Sequence, residues 1–283
     1  MRLLAVIPAR LGATRLPRKP LRLLGGQPLV VRVWERITAL DVAERCVVAT
    51  DDEQVAAVVR AAGGEAVLTR SDHPSGTDRV AEVAMRDEFV GYDAVVNIQG
   101  DEPFASAGVV HAASSLVTQQ GFALGTVACP APADVLVRPD VVKVVATDAG
   151  RALYFSRAPL PFLREPDDAA DRARRDALVR RHVGIYAYTR DALARWVALP
   201  PHPLEQIERL EQLRPLADGM AMGVAVVHEA PPPGIDTEDD LVEANARWPE
   251  WAAGVGGGST PSSSHSHTPA SEARSGAPLT LPA

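Results

Sequence analysis

The chain has 283 residues, 46% of them hydrophobic and 23% charged, which is ordinary globular composition and enough for a sizeable core. A formal net charge of −7 excludes a general nucleic-acid footprint, so any anionic ligand must be met by a local basic cluster. Two cysteines, Cys46 and Cys129, sit in separate apolar runs and offer no disulfide framework. No stretch approaches the ~20 apolar residues that span a bilayer, and the short run before Pro8-Ala9-Arg10 is unlike a signal peptide. The expectation is a cytoplasmic protein with no membrane or nucleic-acid partner.

In chain order, residues 3–8 form a short apolar run suited to a buried strand. A loop rich in Arg, Pro and Gly follows over residues 9–20. Val30, Val33, Trp34 and Ile37 recur at helical spacing, predicting a helix over 28–40 with Pro28 in its first turn. A strand is expected at 46–49, then a helix to Ala62 capped by Asp51 or Asp52 and ended by Gly63-Gly64. Strands at 66–68, 94–98 and 124–128 alternate with helices at 77–86 and 109–120. Such alternation predicts a parallel sheet covered on both faces. Ligands bind beyond the carboxyl ends of strands in such folds, which points to the loops after Pro8, Leu68 and Ile98.

The second half is less regular. Strands are expected at 141–146, 153–155, 183–188 and 223–228, with helices at 192–196, 204–212 and 238–246. Residues 164–181 are strongly charged and read as a loop or surface helix. Trp34, Trp196, Trp248 and Trp251 read as packing residues. His73, His111, His202 and His228 attract no functional assignment. The composition changes after about residue 252 to Gly, Ser, Thr, Pro and Ala, with hardly any large apolar side chains. Such a segment cannot bury enough surface to offset its ordering entropy. The expected division is therefore a domain over 1–252 and a disordered tail over 253–283, with His265 and His267 in the tail.

Three segments carry chemistry. The first loop places Arg10, Arg15, Arg18 and Lys19 within ten residues, around Gly12-Ala13-Thr14, whose backbone could approach an anion. Arginine forks and a lysine point charge suit a triphosphate. The Gly-Lys-Ser/Thr pattern of a Walker loop is absent. After the fourth strand comes Gln99-Gly100-Asp101-Glu102-Pro103, where a carboxylate at a strand end could hold Mg²⁺. Gly234-Ile235-Asp236-Thr237 follows the last strand, and Asp236 could supply a second carboxylate to the same metal. The plain alternatives are a solvated basic face and two helix caps.

The stretch from Ile7-Pro8-Ala9-Arg10 to Leu16-Pro17-Arg18-Lys19-Pro20-Leu21 resembles the signature of cytidylyltransferases that activate acidic sugars. Val48-Ala49-Thr50-Asp51, Ser75-Gly76-Thr77-Asp78-Arg79 and Val96-Asn97-Ile98-Gln99-Gly100-Asp101-Glu102-Pro103 fit the same pattern. So do Val142-Lys143-Val144-Val145, Ala152-Leu153-Tyr154-Phe155-Ser156-Arg157, Arg181-His182-Val183-Gly184-Ile185-Tyr186, Leu210-Glu211-Gln212-Leu213-Arg214 and Gly234-Ile235-Asp236-Thr237. The likeness is to the branch acting on the eight-carbon acidic sugar Kdo, over about residues 1–246. The family loop commonly has Gly where this chain has Arg18, and the tail has no counterpart.

The resemblance implies a doubly wound, mostly parallel α/β nucleotidyltransferase domain, usually a homodimer. It implies CTP and Kdo as substrates, Mg²⁺ as cofactor, and CMP-Kdo for lipopolysaccharide as product. Arg10, Arg15 and Lys19 are expected on the phosphates, beside Pro8 and Ala9, with Arg18 an outside candidate. Asp101 and Asp236 are the expected metal ligands, and Lys19, Arg10, Asp101 and Asp236 the catalytic set. Ser75, Gly76, Arg79 and Gln99 are expected to read cytosine. Arg157, His182, Tyr186, Glu211 and Gln212 match the family's sugar-binding motifs.

Overall fold

The computed structural model describes residues 2–12, 15–228 and 232–255. The chain opens with β1 (Leu3–Ala9), whose continuous apolar run is buried along almost its whole length. A 3-10 turn at Lys19–Leu21 leads into a small hairpin of β2 (Leu23–Leu24) and β3 (Gln27–Pro28), then α1 (Leu29–Ala39). Next come β4 (Arg45–Thr50), α2 (Glu53–Ala61), β5 (Glu65–Leu68), α3 (Gly76–Ala84) and β6 (Ala94–Asn97). They are followed by α4 (Ala107–Thr118), β7 (Leu124–Pro130), β8 (Lys143–Ala146), β9 (Ala152–Ser156) and α5 (Ala169–Leu178). The chain continues through β10 (Arg180–Tyr188), α6 (Arg190–Ala198), α7 (Pro203–Glu208), α8 (Leu213–Ala217), β11 (Met222–Val226) and α9 (Glu238–Val255).

The main sheet runs β11-β7-β10-β6-β1-β4-β5, with β8 and β9 attached beside β10. β1 lies parallel to both β4 and β6, so three carboxyl ends open on one edge. The fold class is the expected mixed α/β with a mostly parallel sheet, with exceptions at β10, antiparallel to β6, β7 and β8, and at β9, antiparallel to β8. Successive side chains of a strand face opposite ways. Leu3, Ala5 and Ile7 accordingly join the core under α1 and α4, while Leu4 and Val6 join the one under α3 and α6. Each fully buried Leu, Val or Ile stabilises by roughly 1.5–3 kcal/mol, which fixes β1 at the centre.

The expected elements are present, with three differences in the hairpin and in two helices. The hairpin at residues 23–28 went unforeseen because each arm has only two residues. The charged stretch is, as one of its two readings had it, largely a surface helix, α5, none of whose residues is buried. The helix expected over 204–212 breaks at Arg209, whose φ of 55° is left-handed, and α8 begins shortly after. The last helix runs beyond residue 246 to Val255, through Pro249. A proline usually disrupts a helix interior. Here Trp248 and Trp251 pack against the core on either side of it. The expected boundary at 252 falls inside α9, and residues 256–283 of the expected tail lie outside the described residues. No described helix is long and apolar enough to cross a membrane.

Candidate active site

A cleft of about 370 Å³ opens at the carboxyl ends of β1 and β6. β1 delivers Pro8, Ala9 and Arg10 to it, and the turn after β6 delivers Gln99, Gly100 and Asp101. These two segments nearly touch. A Cβ on Gly100 would lie 2.9 Å from the Pro8 carbonyl oxygen, so only glycine allows the approach. Ser75 and Gly76 enter from the start of α3, where the Ser75 hydroxyl accepts the Asp78 amide as an N-cap.

The basic loop crosses the mouth. Leu16 is fully buried and anchors it, and the Lys19 amide donates to the Leu16 carbonyl at 3.1 Å. The 3-10 turn then aims the Lys19 ammonium inward, 2.5 Å from Asp101 Oδ2 and 2.7 Å from Asp236 Oδ1. Burial opposes charge on Lys19, but the two carboxylates outweigh it and raise its pKa. Burial works against the Asp236 carboxylate too, yet Lys19 and Arg15 hold its pKa below the usual range. Arg15 donates to Asp236 Oδ2 at 3.0 Å from an exposed position, so that pair adds little stability. Arg10 is exposed on the lining. Arg18 faces elsewhere: its guanidinium donates to Gln54 Oε1 on α2 at 2.6 Å.

Arg79 lines the cleft but is almost fully buried. It reaches the Thr69 hydroxyl, and it pairs with Asp51 Oδ1 at 3.1 Å. It therefore ties the end of β4 to the loop after β5, while Asp52 caps α2 alone. Gln99 donates to Asn97 Oδ1 at 3.4 Å, and Asn97 in turn donates to the Tyr188 hydroxyl.

The five residues expected on the sugar divide. Glu211 lines the cleft and accepts from the Thr77 hydroxyl at 2.9 Å, with burial pushing its carboxyl pKa up. The other four lie outside the lining. His182 is packed edge-on against Phe155, with a ring nitrogen 2.9 Å from the Thr126 hydroxyl, and burial lowers its pKa to about 3. Tyr186 lies beside it, with its hydroxyl pKa raised by burial. Gln212 is buried just before α8. Arg157 donates to the carbonyls of Glu208 and Pro139, both at 2.8 Å, so its guanidinium knits the backbone here.

Two further groups, present in the quoted motifs, were given no role from the sequence. Glu102, next to Asp101, is half-buried, and desolvation together with the Asp101 charge pushes its carboxyl up to about 8. Lys143 is fully buried, with its ammonium on the carbonyls of Arg138, Val141 and Arg157 at 2.9, 2.7 and 2.6 Å. A lysine inside the apolar run Val141-Val142-Lys143-Val144-Val145 was its visible signal. Among the described residues no group of three or more His, Cys, Asp or Glu could hold a metal by itself.

The cytidylyltransferase family profile matches residues 4–222. A 3-deoxy-manno-octulosonate cytidylyltransferase of Gemmatimonas aurantiaca is 60% identical over 248 residues, 88% of this chain and 95% of the relative. One of Leptothrix cholodnii is 48% identical over 83% of this chain and 88% of its own. Among solved structures, a CMP:2-keto-3-deoxy-manno-octonic acid synthetase complexed with CTP superposes with a TM-score of 0.79. It is 37% identical, across 89% of this chain and all of its own. The 4-diphosphocytidyl-2C-methyl-D-erythritol synthase of Anaerococcus prevotii, 14% identical with a TM-score of 0.56 over 88% of this chain and 98% of its own, shares the fold alone. A cleft built by a basic loop, a carboxylate after β6 and a second just before α9 is thus accompanied by likeness along most of the sequence, and this chain belongs to the cytidylyltransferase family, with the 3-deoxy-manno-octulosonate cytidylyltransferases.

Proposed function

We propose that this chain transfers CMP from CTP to Kdo, releasing pyrophosphate. The observation that carries this reading is the meeting in one cleft of Arg10, Arg15 and Lys19 with Asp101 and Asp236. The relatives' shared name supplies the sugar, and the 37% identical structure complexed with CTP supplies the nucleotide.

In-line displacement at the α-phosphorus depends on positioning and charge neutralisation. Arg10 and Arg15 bind phosphate oxygens at the mouth. Lys19, on a flexible stem, exchanges its carboxylate contacts for the charge on the departing pyrophosphate. Pro8, Ala9, Ser75, Gly76, Arg79 and Gln99 hold the nucleoside, with Ser75, Gly76, Arg79 and Gln99 disposed to read the cytosine edge. Glu211 orients a sugar hydroxyl, while Arg157, His182, Tyr186 and Gln212 complete the sugar side.

The donor set suits Mg²⁺. Asp101 and Asp236 already converge on one ammonium, and Mg²⁺ takes one or two carboxylates and fills its shell with phosphate oxygens and water. Asp101 and Asp236 would hold it. Bound there, it would offset phosphate charge and lower the pKa of the attacking hydroxyl. A homodimer is part of the same reading. Val137, Phe162 and Ile207, each about four-fifths exposed, are apolar surface that a second copy could cover, and the mass in solution tests this.

The test is a panel of nucleoside triphosphates and acidic sugars with Mg²⁺, scored by pyrophosphate release. CTP with Kdo should give the highest kcat/KM. Preference for a sialic acid, for 8-amino-Kdo or for another base would replace the substrate named here. No release with any pair would remove the reading.

A further inference from the structure

Lys19, Asp101 and Asp236 reach the cleft from three segments far apart in sequence: residues 15–22, 99–101 and 234–236. All three are fastened to α9, which lies beyond the residues matched by the family profile. At its start, the Asp240 carboxylate accepts the amides of Asp236 and Thr237 at 3.0 and 2.8 Å. Glu238 takes both arms of the Arg22 guanidinium, at 2.8 and 2.5 Å, just after the Lys19 turn. Two turns on, Asn245 accepts the Gly25 amide at 2.9 Å and donates to the Leu23 carbonyl at 3.0 Å. Trp248 lies under Arg32, 4.6 Å from guanidinium to ring, and fills the space where a Gly25 Cβ would stand. At the far end, Trp251 packs on Phe104 at 4.6 Å between centroids, with Trp248 at 6.5 Å.

Phe104 is buried and stands three residues after Asp101. The Asp101 carbonyl accepts the Ile235 amide at 2.9 Å, which ties the two carboxylate segments side by side. Neither tryptophan lines the cleft. We propose that α9 is a clamp, and that Trp251, through Phe104, is a positioning residue that sets Asp101 against Asp236 and Lys19. The helix carries Asp236 at its entrance and grips the Asp101 segment at its exit. Slack in that grip therefore changes the bite of the two carboxylates without touching substrate. This rests on the reading above that Asp101 and Asp236 act on one cation.

The test compares the full chain with Trp251→Ala, Trp251→Phe and a remote core control, Val59→Ala. Val59 is fully buried in α2, away from the cleft. Two quantities are read besides melting temperature: Mn²⁺ binding in the presence of CTP without sugar, and kcat with KM for CTP. Loss of supporting contacts around a metal site weakens affinity or activity by about 10- to 100-fold. Trp251→Ala should weaken Mn²⁺ binding and lower kcat on that scale, and Trp251→Phe should restore most of both. Val59→Ala should lower the melting temperature with neither effect. Should Trp251→Ala fail to fold, Phe104→Leu makes the same measurement with a smaller loss of volume. Wild-type Mn²⁺ affinity and kcat in the folded variant, or an equal shift in Val59→Ala, would overturn the clamp. An inactive wild type would instead remove the substrate assignment, and the Mn²⁺ measurement would still judge the clamp.

Discussion

The Lys19 ammonium lies 2.7 Å from Asp236 and also reaches Asp101, so one cation spans two carboxylates that are 135 positions apart in the chain, 217 and 82 residues from Lys19. In the mechanism proposed above, Lys19 would serve twice, holding the carboxylates together before substrate arrives and meeting phosphate charge afterwards. Lys19→Ala should cost on the order of 100-fold in kcat, the size typical of removing one transition-state charge stabiliser. Asp101→Asn and Asp236→Asn should each lose most turnover while staying folded. Steady-state kinetics at saturating Mg²⁺ checks all three, and near-normal turnover in any one removes that residue from the mechanism.

Arg18 separates loop conformation from chemistry. Its φ of 56° is left-handed, which costs a side-chain-bearing residue ~1–2 kcal/mol and explains why glycine suits the position. Its guanidinium is held by Gln54 outside the cleft. Arg18→Gly and Arg18→Ala both lose that contact, but only glycine relieves the backbone. The glycine variant should be the more stable by about 1 kcal/mol in chemical denaturation. Its turnover should stay within a few-fold of wild type. A larger loss in Arg18→Gly than in Lys19→Ala would mean that the loop register is wrong and that the phosphate contacts centre on Arg18.

The central strands were legible because β1 and β6, buried on both faces, are mostly apolar, and the basic loop stood out by charge density. Direction was not legible. β10 is as apolar as its neighbours over its second half, and a strand buried on both faces reads alike either way. The length of α9 was hidden by Pro249, since a local stop signal says nothing of two tryptophans finding Phe104. Of the candidate site, residue types were visible but not their partners. Arg79 is engaged by Asp51, and Arg157 by backbone carbonyls, and only the folded chain brings those groups together.

His182 gives a pH dependence with a defined sign. Burial lowers its pKa from 6.5 to about 3, so the unfolded chain takes the proton first. Its contribution is complete above about pH 6.5 and is lost as the pH falls toward 3, at ~1.4 kcal/mol per unit. Glu102, raised to about 8, acts oppositely, losing stability as the pH rises from 4.5. The useful quantity is therefore the difference between wild type and His182→Asn, in which Glu102 cancels. Urea unfolding should show that difference shifting by about 2 kcal/mol against wild type between pH 7 and pH 5. A flat difference would show that His182 accepts a proton in the folded protein.

The final prediction separates the end of α9 from the segment beyond it. Composition argues that residues 256–283 carry no core, since they hold almost no large apolar side chain. We propose that a chain ending at Val255 keeps the melting temperature and turnover of the full chain. Ending at residue 246 instead removes Trp248 and Trp251, which cover Phe104 and Gly25. Deleting a packed tryptophan costs ~3–5 kcal/mol where it is fully buried, and less here because both are half-buried. At ~2–4 °C per kcal/mol for a domain of this size, the shorter chain should melt about 5–15 °C lower. Differential scanning calorimetry and pyrophosphate release on both truncations make the comparison. A fall in either quantity on removing only 256–283 would show that this segment docks on the domain, and the boundary would then belong further along the chain.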